Sequence, residues 1–185
     1  MKKKISDYAV KAMIFSIMMT SLVASPLFAE QEYVAVKRAL DGATLELETG
    51  EIVRLIGIDM ETFPEGKENH IAVEAKDFLT RFLVGKKVYL EFDPRDEKEN
   101  HQNSAHELLA YVFLDTKLPA STDVSREEWF EHHIHGDVYS VFVNASSVRA
   151  GLIKVSRGEK FKYQDRFIQL ENEARLNKRG MWSKT

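Results

Sequence analysis

The stretch from Ala39 to Asp59, "ALDGATLELETGEIVRLIGID", decides the fold. Asp41-Gly42 is a turn pair, because glycine takes positive φ without a steric cost and aspartate hydrogen-bonds its own backbone two residues on. "TLELE" follows, with Leu45 and Leu47 at alternate positions, the period of a half-buried strand. Thr49-Gly50 turns the chain again and "IVRLIGID" returns. Just upstream, "YVAVKRAL" alternates at Val34, Val36 and Arg38. Three strands joined by two short turns predict an antiparallel meander.

Working outward, the period changes in "ENHIAVEAKDFLTRFLVGKK". Ala72, Ala75, Phe78, Leu79, Phe82 and Leu83 fall at spacings of three and four, which is one apolar face of a helix, and Gly85 supplies its stop. "KVYLEFD", alternating at Val88, Leu90 and Phe92, predicts a fourth strand, and "ELLAYVFLD" a fifth. Between them "PRDEKENHQNSAH" has almost nothing to bury and predicts a mobile, solvated loop. Asn144 is a candidate cap for a short helix, "ASSVRAG", ending at Gly151. A last helix is expected from about Tyr163 to Lys178, with Phe167, Leu170 and Ala174 inward and Trp182 anchoring the chain beyond it. Arg175, Lys178 and Arg179 on it read as a solvated face and form its one compact positive cluster. The fold class is therefore α+β, mainly β: a five-stranded Greek-key barrel of the OB type with three helices.

The first 29 residues stand apart. Lys2, Lys3, Lys4 and Lys11 precede an apolar run from Ala12 to Val23 and an exit, "ASPLFA". That order predicts a secretory signal cut after Ala29, leaving a domain at 30–185. The run is short for a membrane span, which needs about 20 residues, so no span is expected after cleavage. The protein is expected to be exported, either periplasmic or secreted. The chain has no cysteine, which excludes lipid attachment at the cut and leaves no disulfide for an oxidising compartment. Of 26 basic and 29 acidic residues, the leader takes four Lys and one Asp, so the remainder carries 22 against 28, a net −6. A protein that holds a nucleic acid over much of its surface has the opposite balance, which disfavours that partner without excluding a local basic face.

The pieces "ALDGATLEL", "VRLIGIDMET", "EAKDFLTRFLVGKKVYLEFD", "LLAYVF", "VNASSVRAGLIKV" and "ENEARLNKRGMWS" resemble, in order, the staphylococcal nuclease (thermonuclease) family over about residues 33–183. The resemblance implies an OB barrel with three helices and calcium-dependent hydrolysis of DNA and RNA. It also implies a site: carboxylates holding calcium, a glutamate acting on the attacking water, and two arginines facing the phosphoryl oxygens. Carried over position by position, the first calcium carboxylate falls on Ala43, whose methyl group cannot coordinate. Arg54 matches the first arginine and Asp59 the second calcium carboxylate. The general base falls on Thr62 without a gap, or on Glu61 if one residue is missing here. The second arginine falls on Glu107, a reversal of charge; the loop before it is longer than the family pattern and would let Arg95 reach back, although nothing in the sequence requires it. With two positions kept, two replaced and one open, the expectation leans away from an enzyme. The leading reading is a binding or assembly module with an unidentified protein or ligand partner, with Ca2+ as cofactor only if the family site survives. A modified phosphodiesterase using Arg54, Glu61 and Asp59 is the alternative.

A further segment, at about 117–141, reads as an insertion. It carries "SREEWFEHHIHGD", with Trp129 and Phe130 expected to pack it onto the barrel. His133 and His135 would share a face of a strand and, with an acid, could hold zinc or copper. That makes a metal-binding accessory the third reading.

Overall fold

The structure is a computed structural model that describes residues 33–59, 68–95, 101–115, 131–135 and 138–183. The expected leader, Glu61, Thr62, Trp129 and Phe130 lie outside the described residues. Nine strands and three α-helices are present among the described residues: β1 Tyr33–Ala39, β2 Thr44–Leu47, β3 Ile52–Leu55, β4 Ile58–Asp59, α1 Glu68–Leu83, β5 Lys87–Glu91, β6 Leu108–Asp115, β7 His132–His135, β8 Val138–Phe142, α2 Val143–Arg149, β9 Lys154–Val155 and α3 Gln164–Leu176.

The meander is as expected: β1, β2 and β3 pair antiparallel in sequence. β1 also pairs with β5, and β5 with β6. A parallel pairing of β3 with β6 then closes the ring β1-β2-β3-β6-β5, a five-stranded mixed barrel. Closure removes the open edges that would otherwise invite pairing with other chains. Beyond the expected five, β8 and β7 form a hairpin laid against the far end of β6, and β4 pairs with β9.

Simple alternation fails in β1. The register shifts between Val36 and Arg38, and it is Val36 and Ala39 that are buried. This bulge turns Lys37 and Arg38 outward together, and both grip the carboxylate of Glu46 on β2. Those two hydrogen bonds hold the Glu46 carboxyl below its ordinary range against the opposing effect of burial. β6 is buried almost throughout because it is covered on both faces, by the barrel interior and by α2. In α1 the buried residues are Ile71, Ala75, Phe78, Leu79 and Leu83, with Ile71 rather than Ala72 at the start of the inner face.

Three expectations near the C-terminal half are corrected. Asn144 does not cap α2. The helix starts at Val143 with no side-chain cap, and Asn144 lies inside it, fully buried. Its Oδ1 accepts from the Val112 N–H at 2.9 Å, and its Nδ2 donates to Ile56 O at 3.1 Å and Ala110 O at 3.3 Å. The positive cluster of α3 is mostly neutralised: Arg175 pairs with the buried Glu171, and Arg179 with Glu173. Met181 is the deep anchor, while Trp182 is half-buried under the Arg175 guanidinium, 3.9 Å from its ring centroid. The anchor depends on two glycines meeting back to back. Met181 N–H donates to Gly151 O, and a Cβ on Gly180 would lie 2.3 Å from that same oxygen.

Glu131 bonds Arg166 of α3 and lies 3.5 Å from Arg149 of α2, tying the described end of the expected insertion to the two C-terminal helices. Among the described residues, no helix is long and apolar enough to cross a membrane.

Candidate functional site

The site grows from the turn before β2. Asp41 folds back so that Oδ1 accepts the Ala43 N–H at 2.7 Å and Oδ2 accepts the Thr44 hydroxyl at 3.0 Å. The register of β2 and β3 sets Thr44 opposite Arg54. Arg54 Nη1 donates to Thr44 Oγ1 at 2.8 Å and lies 3.5 Å from Asp41 Oδ2. The guanidinium is thus aimed by a threonine that the sequence pattern did not single out, three residues after Asp41 and next to Ala43. Ala43 is fully buried and belongs to the hydrophobic core, and its carbonyl accepts the Leu55 N–H at 2.9 Å.

Arg54 faces a cleft of about 410 Å³. Its other charged lining residues are Arg95 and Lys160 on the basic side and Asp93 and Glu159 on the acidic side, with Phe161 as a wall. The loop at 156–161 can lie this close to β3 because of Gly57. Its φ is +80°, its carbonyl accepts the Ser156 N–H, and a Cβ there would press into the Phe161 and Phe167 rings.

Asp93 is the structural root of the cleft. It is buried, and its carboxylate accepts from the Tyr111 hydroxyl, the Lys162 N–H and the Arg95 N–H. Burial pushes its pKa up, but those hydrogen bonds and the Arg95 charge outweigh that and hold it below the ordinary 3.8. A carboxyl depressed in the folded state stabilises fully above its unfolded pKa and loses that contribution as pH falls through the folded value. Stability should therefore drop on acidification below about pH 4, and Asp93→Asn should cost about 2 kcal/mol at pH 7 and flatten that drop. Urea midpoints between pH 2 and pH 7, on the order of one unit apart, read this directly; equal acid slopes in both proteins would refute it.

The remaining expected site residues are placed as follows. Asp59 stands on β4 in register with Lys154 of β9. Glu107 does not line the cleft. Its carboxylate accepts Asn103 Nδ2 at 2.7 Å, and its N–H donates to Asn103 Oδ1 at 3.1 Å. The loop before β6 is thus partly built rather than freely solvated, with Gln102 bridging Leu108 and His101 stacked on Phe92. His133 and His135 occupy alternate positions of β7, which is an edge strand; their side chains lie outside the described residues.

Calcium needs six to eight oxygen ligands. Ala43 offers no side-chain oxygen, and the Asp41 carboxylate is already committed to its turn and to Arg54. Among the described residues, no three His, Asp or Glu side chains come together in a way that could hold a metal. The described donor set does not fit calcium.

With the barrel and cleft defined, the comparisons fall into place. The model for the family described as staphylococcal nuclease homologue matches residues 52–184, and the chain belongs to that family. The chain is similar to a thermonuclease from Staphylococcus hyicus, 28% identical over 160 residues that cover 83% of this chain and 77% of that protein.

Proposed function

We propose that the chain is an exported binding domain on the nuclease fold, which holds a phosphate-bearing anion in the Arg54 cleft and does not carry out efficient calcium-dependent hydrolysis. The carrying observation is Ala43, a buried methyl group at the position where the family resemblance calls for a calcium carboxylate. Retained Arg54 supports the binding half of the reading, because its guanidinium is held in place by neutral and acidic partners and remains part of the cleft wall. The lining also runs against the charge of the whole. It carries three cations and two carboxylates on a chain whose expected mature form is net −6. Such a local reversal favours an anionic ligand over the general surface. The Lys-rich leader supports export to a periplasm or the medium.

The test is cleavage of supercoiled DNA and of RNA with calcium, beside an active thermonuclease. Losing a metal ligand together with an aligned arginine predicts turnover lower by more than about 10²-fold. Turnover within about tenfold of the active enzyme would instead support the phosphodiesterase reading, with Glu61 as general base, Asp59 on the metal and Arg54 on the phosphate. The metal-accessory reading is favoured by one feature alone: the strand at β7 that sets His133 and His135 two apart. Zinc or copper binding abolished by replacing both histidines would support it.

A further inference from the structure

We propose that Arg95 is the second cationic contact of the cleft, so that a phosphate ester is gripped between Arg54 on strand β3 and Arg95 in the turn after β5. The inference rests on the reading of the cleft given above and adds the residue that completes it. Position 107, where the resemblance implies the second arginine, carries a carboxylate that is tied to Asn103 and lies off the cleft wall. Arg95 lines that wall together with Arg54 and Lys160.

Its placement is built by the fold. The Arg95 N–H is fixed by the buried carboxylate of Asp93 at 2.9 Å, and Arg95 Nη1 donates to the Phe161 carbonyl at 2.7 Å. These bonds bridge the end of β5 to the loop that closes the cleft, so the guanidinium is anchored at both ends of its side chain. Only one of its five N–H donors is used by the Phe161 carbonyl, which leaves a fork for a phosphate. Asp93 offsets part of the Arg95 charge, but its oxygens are bonded to the Tyr111 hydroxyl and the Arg95 and Lys162 backbone N–H groups rather than to the guanidinium fork. Arg54 in turn is braced by Thr44 and lies 3.5 Å from Asp41. Two braced guanidinium groups on one cleft of about 410 Å³ match the size and charge of a nucleotide phosphate ester.

The experiment is calorimetric titration of the mature chain with a nucleoside 3′,5′-bisphosphate, and anisotropy titration with a short single-stranded oligodeoxynucleotide. Wild type is compared with Arg54→Gln, Arg95→Gln, Arg95→Lys and Glu107→Gln. Arg95→Gln retains an N–H donor for the Phe161 carbonyl, and thermal midpoints check that each variant folds. The expected result is loss of about tenfold or more in affinity for Arg54→Gln and for Arg95→Gln, an intermediate loss for Arg95→Lys, and little change for Glu107→Gln. Should Arg95→Gln fail to fold, the intermediate loss in Arg95→Lys carries the test. Tight bisphosphate with weak oligonucleotide binding identifies a free nucleotide as the source of the phosphate; the reverse identifies a strand. Binding that depends on Arg54 and is unchanged in both Arg95 variants overturns the role of Arg95 and leaves the cleft reading intact. No binding of either probe to wild type overturns both.

Discussion

Ala43→Asp should turn a calcium-indifferent protein into a calcium-responsive one. Ala43 is fully buried, beside the Asp41 turn and one residue from the threonine that braces Arg54. A carboxylate placed there without a cation is a buried charge without a partner, which costs about 3 kcal/mol. Its pKa rises as a consequence, because burial disfavours the charged form. In a chelator the variant should therefore melt well below wild type, and the deficit should grow as pH rises through the raised pKa. Calcium reverses this if Asp59 and the new carboxylate reach the same ion. A ligand at about 100 times its dissociation constant returns about 2.7 kcal/mol, which would restore most of the loss. Wild type should not move under the same titration, since the buried methyl group of Ala43 supplies no ligand. Hydrolysis of DNA should rise alongside, by about 10²-fold over wild type, with Arg54 and Arg95 already in the cleft. A calcium-dependent midpoint in wild type equal to that of the variant would refute the reading of Ala43. A variant that is destabilised and indifferent to calcium would show that the turn no longer leads to a cation position.

The part of this design that sequence reveals is the part carried by near neighbours. Leu45 and Leu47 alternate, Asp41-Gly42 and Thr49-Gly50 turn, and the meander follows. Arg54 is then placed by register alone, because a strand paired to its neighbour has one opposite residue for each position. What alternation cannot show is where it stops. The β1 bulge depends on Glu46 receiving Lys37 and Arg38 from the next strand, a pairing across a turn. Asn144 has the composition of a cap, since asparagine favours helix starts, yet its amide is spent on backbone groups 32 to 88 residues distant. Arg95 lies in a stretch that looks solvated because it is polar. Its anchor is a carbonyl 66 residues away, and no local pattern encodes that. Glu107 shows the converse. Its charge reads as hostile to phosphate, while in the fold it closes a turn with Asn103.

The largest loss of stability should come from Asn144→Ala. The side chain satisfies one backbone N–H and two carbonyls, on Val112, Ile56 and Ala110, in a region sealed between β6 and α2. Alanine fits the helix but leaves those groups unpaired, and each buried unpaired group costs about 1–3 kcal/mol, so a total of about 3–5 kcal/mol is expected. Two of the groups belong to residues that adjoin or form the cleft wall: Ile56 lines it, and Ala110 follows Leu109, which also does. Ligand affinity should fall with stability rather than independently of it. Asn144→Asp separates hydrogen bonding from packing, because it keeps the shape and changes the donor. An ionised carboxylate would set negative charge against two carbonyl oxygens, so its pKa is raised in the folded state. Stability then decreases as pH rises, being greatest where the acid is neutral and can still donate one bond. Wild type, governed by the depressed Asp93, loses stability only on acidification below about pH 4 and should be level above it. Urea midpoints for wild type and Asn144→Asp between pH 4 and pH 8, on the order of four units apart, should therefore diverge, with the variant weakening toward the alkaline end. Parallel pH profiles would show that the amide is held by packing alone and that the three bonds contribute little.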